Sequence, residues 1–475
     1  MRRTLVIDVA GLSADLVSEM PCLKALAGRG ACLPLEPVLP ATTLPMQATL
    51  TTGEPPARHG VVSNGFYFHD TAEVRFWEQS SHLIGAPRAW QRVVRNAECG
   101  MRSGKKRGAP GDSVPFTPHS ELRTSHLKVG MLFWQLAMYD PTVSVLLTPK
   151  PVHAPGRLLQ DCYSRPADLY HRLAEKLGPF DLMYYWSPMA GMASSRWIAQ
   201  ATLAVWRDEK PDLLLTYLPQ LDYSGHRAGP DAEAHRTGAR ELDALIAPLI
   251  EAAESTGGRA VVLSEYSFVP VFRAVAPNRA LREAGFLAIR EIALGEYLVP
   301  GDSRAFAMVD NQVAHVYFPA SPRLRRAGPA AADLEADVRA ARKVLESVPG
   351  VAAVLDHEAQ AEAGLRHARS GELVLLAEPD AHFTYYWWLD DGRAPAFAPT
   401  VDIHAKPGFD PAELLFDLKT KAVPLSADAI QGSHGLVQAS GKGWGAFLDT
   451  APPRDLAGRQ AVQATEVARL LVPPV

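Results

Sequence analysis

The chain has 475 residues, of which 47% are hydrophobic and 21% are charged, and its formal net charge is −4. This composition is typical of a globular protein with one large α/β core plus an insertion, or with two to three ordinary domains. The charge balance provides no basic surface for a nucleic-acid polymer or an anionic membrane, and no apolar run approaches the roughly 20 residues of a membrane-spanning helix.

The first predicted strand covers residues 4–8 (TLVID) and ends on a carboxylate, Asp8. Parallel α/β folds place their chemistry at the carboxyl ends of buried strands, so Asp8 is a candidate functional residue. Residues 13–29 then carry a helical pattern, and residues 34–40 form a short extended segment.

The next stretch, LPATTLPMQATLTTGEPPARHGVVSN (39–64), holds two adjacent threonines between prolines. Pro40 and Pro45 restrict the backbone on either side of Thr42 and Thr43, and residues 46–53 are predicted to form a helix. A rigid turn before a helix suits an activated hydroxyl, because the free N–H groups and positive end of the helix attract an anion. Taken alone, the stretch fits a surface loop that caps a helix better than it fits a catalytic turn.

Two later apolar strands also lead into carboxylates. Residues 212–218 run into Asp222, and residues 259–264 run into Glu265. Strand ends in a parallel sheet converge on one edge, so we expect these two carboxylates to lie near Asp8.

The segment 98–128 is basic and rich in Gly, Pro and Ser, which predicts a surface loop. Within it, Lys105, Lys106 and Arg107 are secondary candidates for attracting a phosphate group.

From about residue 303 to residue 400 the order of elements changes to strand–helix–strand–strand. This order predicts a small α+β cap insertion, with the catalytic core at 1–302 and 401–475. Aromatic side chains that could stack on a base or ring are Tyr385, Tyr386, Trp387 and Trp388, with Phe66 and Trp134. The alternative is that the insertion's aromatic side chains pack its own core.

The D-x-x-x-H spacing of Asp222 and His226 lets a carboxylate oxygen and an imidazole nitrogen face one point where a strand turns into a helix. His434, between glycines, would complete a set of two nitrogen ligands and one oxygen ligand, which zinc accepts with one position open. Asp8, Thr43 and Glu265 would form a second, oxygen-rich site, where a metal lowers the pKa of the hydroxyl. A helix-capping pair and a loop histidine are the structural alternatives.

In their order along the chain, these motifs resemble the alkaline phosphatase superfamily and, within it, the nucleotide pyrophosphatase/phosphodiesterase family. The resemblance rests on VIDVAGL, PATTLP, TTGEPPARHGVVSN, LPQLDYSGH, VVLSEYSF and GSHG. It implies a mostly parallel sheet sandwiched by helices, with Thr43 as the nucleophile and Asn64 as a donor to phosphoryl oxygens. It also implies two divalent metal ions, expected to be zinc: one on Asp222, His226 and His434, and one on Asp8, Thr43 and the pair 265–266.

That pair departs from the family's pattern, because Glu265-Tyr266 stands where the family has Asp-His, and Met46 stands where it has asparagine. Glutamate can still bind a metal, but a tyrosine, with an unperturbed pKa of roughly 10, is a poor substitute for imidazole. We therefore expect a second metal that is weak, altered or absent, with His404 or Asp402 as candidate replacement ligands. The candidate substrate-binding residues are Asn64, Tyr266, Trp134 and Tyr386.

The resemblance predicts a metal-dependent phosphodiesterase or nucleotide pyrophosphatase that acts on a small phosphorylated substrate through a phospho-threonine intermediate. Two alternatives stay open: phosphomonoester or phosphonate hydrolysis on the same fold, and a degenerate member that binds without turnover. The four cysteines lack paired spacing and the N-terminus lacks a signal-peptide pattern, which predicts a cytoplasmic protein. We expect a monomer or homodimer with no membrane or nucleic-acid partner.

Overall fold

The computed structural model describes residues 2–91, 127–155, 157–319 and 329–472. Lys105, Lys106 and Arg107 of the predicted basic loop lie outside these residues. The strands are β1 (Thr4–Val9), β2 (Ala31–Glu36), β3 (Gly65–Phe68), β4 (Glu73–Phe76), β5 (Val129–Leu132), β6 (Val145–Pro149), β7 (Val152–Ala154), β8 (Arg157–Leu159), β9 (Cys162–Arg165), β10 (Leu213–Leu218), β11 (Arg259–Leu263), β12 (Val269–Pro270), β13 (Arg273–Val275), β14 (Ile289–Ile292), β15 (Gly295–Leu298), β16 (Phe306–Asp310), β17 (Val313–Tyr317), β18 (Val351–Leu355), β19 (Leu373–Ala377), β20 (Ala381–Phe383), β21 (Gly432–Ser433), β22 (Gly445–Asp449) and β23 (Val462–Gln463).

The α-helices are α1 (Pro21–Arg29), α2 (Thr43–Thr52), α3 (Pro56–His59), α4 (Leu169–Leu177), α5 (Met192–Asp208), α6 (Gln220–Ala228), α7 (Glu233–Ser255), α8 (Pro277–Glu283), α9 (Pro329–Glu346), α10 (His357–Glu362) and α11 (Ala464–Leu471). Among the described helices, none combines the length and the apolar character needed to cross a membrane.

The main sheet has nine strands in the order β23-β2-β22-β11-β1-β10-β5-β6-β9. Strands β11, β1, β10, β5 and β6 run parallel, and β22 and β9 run antiparallel to their neighbours. One face packs against α1, α5 and α7, and the other packs against α2 and α11. The predicted mostly parallel sheet sandwiched by helices is therefore confirmed.

The strand β1 lies at the centre of this sheet, and its six residues are all buried. Asp8 pairs in register with Tyr217 of β10 and with Leu263 of β11. The chain segments that carry Asp222 and Glu265 therefore leave the sheet on either side of Asp8, as the sequence predicts.

Two predicted elements differ from the structure. The helix expected over 13–29 is a 3₁₀ turn at Leu16–Glu19 followed by α1, because Pro21 lacks an N–H and is tolerated only in a first helical turn. The single strand expected at the start of the insertion is a hairpin, β16–β17, whose turn places Asn311 at φ 59°. Asparagine adopts this left-handed conformation more readily than most residues.

The insertion contains an antiparallel sheet in the order β16-β17-β19-β18, beside which α9 packs. Its hydrophobic core also includes residues outside 303–400, namely Val275, Leu281, Phe286 and Ala427. The residues that pack together with the insertion therefore extend beyond 303–400, the range predicted from the order of the strands and helices.

The aromatic run of the insertion, Tyr385 to Trp388, is buried in this same core. The rings contact one another, and those of Tyr386 and Trp388 have centroids 4.5 Å apart. These rings therefore pack in the insertion's own core, which was the alternative considered from the sequence, and a contact of Tyr386 with substrate stays a prediction.

Candidate active site

Thr43 is the first residue of α2, and every residue of that helix is buried. Its hydroxyl oxygen lies 3.1 Å from the phenol oxygen of Tyr266. The neighbouring Thr42 is also buried, but its hydroxyl has no hydrogen-bond partner among the described residues. Of the two threonines, Thr43 is thus the one joined to the polar groups at the strand ends.

Asp222, His226 and His434 come together, with one candidate ligand atom from each lying within 4.8 Å of the others. The Nδ1 atom of His226 lies 3.0 Å from the carbonyl oxygen of Gly432, and that of His434 lies 2.8 Å from the carbonyl oxygen of Ala41. A carbonyl oxygen only accepts, so both Nδ1 atoms carry the proton. The free lone pairs are on the Nε2 atoms, each 3.7 Å from Oδ1 of Asp222.

Burial keeps both imidazoles neutral, the form that binds a metal. It lowers the pKa of His226 to about 4 and the pKa of His434 well below its usual value. Burial also raises the pKa of Asp222 to about 7, although the hydrogen bond from Tyr266 opposes this shift. Two neutral imidazole nitrogens and a carboxylate oxygen form a donor set that suits zinc.

Asp8 and Glu265 form a second polar group, and both side chains are fully buried. Gln47 donates from Nε2 to Oδ2 of Asp8 at 3.0 Å. Oδ1 of Asp8 and both carboxylate oxygens of Glu265 have no hydrogen-bond partner in the described part of the chain. Burial raises the pKa of Asp8 to about 8, and burial together with the Asp8 carboxylate raises the pKa of Glu265 well above its usual value. Such a pair needs a shared proton or a cation.

Tyr266 lies between the two groups. Its ring stacks on the imidazole of His434 with centroids 3.6 Å apart and an interplanar angle of 3°. Its hydroxyl donates to Oδ1 of Asp222 at 3.0 Å, so in the contact with Thr43 the threonine hydroxyl is the donor. Burial raises the pKa of Tyr266 well above its usual value, so the hydroxyl carries the proton that it donates to Asp222.

Asn64 lies beside the start of α2, where its Oδ1 accepts from the backbone N–H of Leu44 at 2.9 Å. Its Nδ2 donates one proton to Oδ1 of Asp310 at 3.1 Å. The second proton on Nδ2 takes part in neither of these two hydrogen bonds. Asp310 ends β16 of the insertion and also accepts from Ser63 Oγ and from the Asn64 backbone N–H. The insertion therefore helps to build the site.

Sequence reasoning missed Gln47 and Asp310. Gln47 lies four residues after Thr43, one helical turn away on the same face, and this spacing could have identified it. No local signal connects Asp310 with Asn64, which is 246 residues distant in sequence.

The remaining candidate residues from the sequence lie in hydrophobic clusters or in an exposed turn. Trp134 is fully buried in the hydrophobic cluster between the sheet and α2, and Phe66 is buried in a cluster with Leu44. Stacking of either ring on a substrate stays a prediction. His404 and Asp402 are exposed in a turn, where the carboxylate accepts from the His404 backbone N–H. They cannot replace a ligand in a fully buried group.

The profile of the Type I phosphodiesterase / nucleotide pyrophosphatase family matches residues 4–410. The chain belongs to this family. The predicted family and hydrolase class are thereby confirmed.

An uncharacterised pyrophosphatase/phosphodiesterase of Schizosaccharomyces pombe is 26% identical over 253 residues, which are 52% of this chain and 40% of that protein. The match therefore spans less than half the length of that relative.

Two solved structures show the same fold across the chain. Murine ectonucleotide pyrophosphatase/phosphodiesterase 5 is 14% identical with a TM-score of 0.57, and the match covers 99% of this chain and 94% of that one. Phosphonoacetate hydrolase of Sinorhizobium meliloti is 16% identical with a TM-score of 0.57, and the match covers 99% and 95%. The alkaline-phosphatase-like fold expected from the sequence is confirmed.

Proposed function

We propose that this protein is a metal-dependent phosphodiesterase or nucleotide pyrophosphatase that uses Thr43 as its nucleophile. The observation that carries the proposal is the position of Thr43 at the start of a buried helix, linked through Tyr266 to Asp222 of the histidine–carboxylate group. A nucleophilic hydroxyl beside metal-binding side chains and a helix N-terminus suits attack on a phosphoryl group.

The donor sets support two metal positions. Asp222, His226 and His434 would hold one divalent ion, with zinc as the metal that their atoms suit. Asp8 and Glu265, three of whose carboxylate oxygens have no hydrogen-bond partner among the described residues, would hold a second ion together with Thr43. Bound there, the ions would lower the pKa of the threonine hydroxyl and offset the negative charge of the phosphoryl group.

The chain's own residues then account for each bond that changes. Oγ1 of Thr43 loses its proton and bonds to phosphorus as the bond to the leaving oxygen breaks, and the leaving oxygen takes up a proton. Water later cleaves the Thr43–phosphoryl bond: its hydroxyl joins phosphorus and its proton restores the Thr43 hydroxyl. Tyr266 directs the Thr43 hydroxyl by accepting its hydrogen bond, and the remaining amide proton of Asn64 is available to a phosphoryl oxygen. Free N–H groups of the first turn of α2 add further donors.

The relatives support small phosphorylated substrates. The murine protein has been solved with AMP as an inactive threonine-to-alanine variant, and the bacterial hydrolase has been solved with phosphonoformate. The family match favours phosphodiesters and pyrophosphates for this chain, and phosphomonoester or phosphonate hydrolysis is the alternative. The division into 1–302, 303–400 and 401–475 and the monomeric or dimeric, cytoplasmic state stay predictions.

The decisive experiment compares Thr43→Ala with Thr42→Ala, its adjacent and equally buried control. We expect Thr43→Ala to abolish hydrolysis of bis(p-nitrophenyl) phosphate, because it removes the hydroxyl that Tyr266 links to Asp222, and Thr42→Ala to retain it. The same panel should include p-nitrophenyl phosphate and phosphonoacetate, to rank the alternative substrates. Full activity in Thr43→Ala would contradict the phospho-threonine mechanism. AMP binding without turnover of any substrate would support the degenerate alternative.

A further inference from the structure

The two proposed metal positions differ in the chemistry of their donors. Asp222, His226 and His434 offer two imidazole nitrogens and an oxygen. For a second ion, three side chains offer oxygen alone: the interacting carboxylates of Asp8 and Glu265, and the hydroxyl of Thr43, which lies one helical turn before the Gln47 that donates to Asp8. Imidazole suits zinc, whereas carboxylate and hydroxyl oxygens suit harder cations such as Mg²⁺ and Mn²⁺.

Tyr266 is the reason that nitrogen is missing from the second position. It occupies the place where the resemblance implies a histidine, and its ring lies parallel to that of His434. Its hydroxyl is already engaged, because it donates to Asp222 and receives a hydrogen bond from Thr43. A zinc ion at this position would therefore lack the imidazole that distinguishes zinc sites from oxygen-only sites.

The two carboxylates at the second position also have no positively charged side chain as a partner among the described residues. Asp8 and Glu265 are both fully buried, and within the described ranges neither forms an ion pair with a lysine, arginine or histidine. In the part of the chain that the structure describes, both oxygens of Glu265 and Oδ1 of Asp8 have no hydrogen-bond partner. Buried carboxylates are normally paired or bind metal, and a divalent cation balances two of them.

We propose that the second position, formed by Asp8, Glu265 and Thr43, selects a hard divalent cation, Mg²⁺ or Mn²⁺, so that the centre holds zinc at one position and a hard cation at the other. The proposal rests on the two-metal function proposed above and specifies its second ion.

The test measures bound metal rather than activity. Metal-free protein is loaded with one equivalent of Zn²⁺, titrated with Mn²⁺ and followed by electron paramagnetic resonance, which reports the loss of free aqueous Mn²⁺. We expect one Mn²⁺ to bind wild type and the surface control Glu175→Gln, and none to bind Glu265→Gln, while all three keep one zinc. Mn²⁺ should also raise the melting temperature of wild type but not of Glu265→Gln, because a ligand stabilises the state it binds.

Tyr266→His is the converse test, in which the second position should gain zinc rather than lose Mn²⁺. Restoring an imidazole should let this variant hold two zinc ions after dialysis against excess Mn²⁺ and two equivalents of Zn²⁺, where wild type holds one of each. Wild type that retains two zinc ions and no Mn²⁺ would overturn the proposal, as would Mn²⁺ binding by Glu265→Gln equal to that of wild type.

Failure of this proposal and failure of the proposed function give different results. Hydrolysis by a protein that holds zinc alone would refute the hard-cation position and leave the function standing. Stoichiometric Mn²⁺ binding without hydrolysis of any phosphoester would leave the position standing and refute the function.

Discussion

At the scale of single residues, Tyr266 decides how this site differs from the pattern its family implies. An aromatic ring in this position keeps the parallel contact with His434 that a histidine ring could also make. The phenol hydroxyl extends beyond that ring and joins Asp222 to Thr43. Relative to the histidine that the resemblance implies, Tyr266 lacks a nitrogen ligand and gives the proposed nucleophile, Thr43, a hydrogen-bond acceptor.

Tyr266→Phe removes this hydroxyl and keeps the ring. We expect kcat for bis(p-nitrophenyl) phosphate to fall by roughly 5- to 30-fold, since a hydrogen bond of this kind contributes about 1–2 kcal/mol. The control is Tyr317→Phe, which removes a buried hydroxyl that donates to the carbonyl oxygen of Arg369 in the insertion. Unchanged kcat in Tyr266→Phe would remove Tyr266 from the catalytic arrangement.

At the scale of elements, a buried ion pair fixes the antiparallel part of the main sheet beside the catalytic strands. Arg259 of β11 contacts both carboxylate oxygens of Asp449 on β22, with Nε 2.9 Å from Oδ1. Its Nη1 donates to the carbonyl oxygen of Leu470 at the end of α11, at 2.7 Å. One guanidinium thereby joins two strands and a helix C-terminus, where a positive charge is favourable.

Asp449→Ala leaves this arginine buried without its partner. We expect the free energy of unfolding to fall by about 3–5 kcal/mol, the usual effect of breaking a buried pair on one side. Urea unfolding monitored by circular dichroism measures the change. Glu254→Ala, which breaks the exposed pair with Arg29, should change the same quantity by less than about 1 kcal/mol. Equal effects of the two substitutions would contradict this assignment.

At the scale of the whole molecule, residues of the insertion contact the candidate active site. The turn after β16 reaches the core, where Asp310 accepts from Ser63 and Asn64, and the backbone N–H of Gln312 donates to the carbonyl oxygen of His434 at 3.0 Å. Both contacts join residues of the insertion to residues that flank Thr43 or the histidine–carboxylate group. Docking of the insertion and ordering of the site are therefore coupled.

Asp310→Ala tests this coupling. The substitution removes the acceptor that orients the Asn64 amide, so we expect kcat/KM to fall by roughly 10- to 100-fold, equivalent to about 1.5–3 kcal/mol. Asp337→Ala is the control, since it breaks the ion pair with Arg304 elsewhere in the insertion. If Asp310→Ala lowers the melting temperature and leaves kcat/KM unchanged, Asp310 has only a structural role.

The sequence by itself determined the parallel sheet, the strand ends and most of the side chains that meet there. Asp8, Asp222 and Glu265 could be predicted to converge because the carboxyl ends of neighbouring parallel strands share one edge. The family's motifs added Thr43, Asn64 and His434, which follow no shared periodicity with those strands.

Only the tertiary structure decided what surrounds these side chains. The aromatic run of the insertion looked suited to a ligand, but its rings are buried against one another, since apolar area is removed from water wherever packing allows. Asp310 joined the site through a contact between residues far apart in sequence, and such contacts leave no local pattern. The hydrogen bond between Thr43 and Tyr266 likewise depends on how α2 and the end of β11 pack together, which no spacing along the chain encodes.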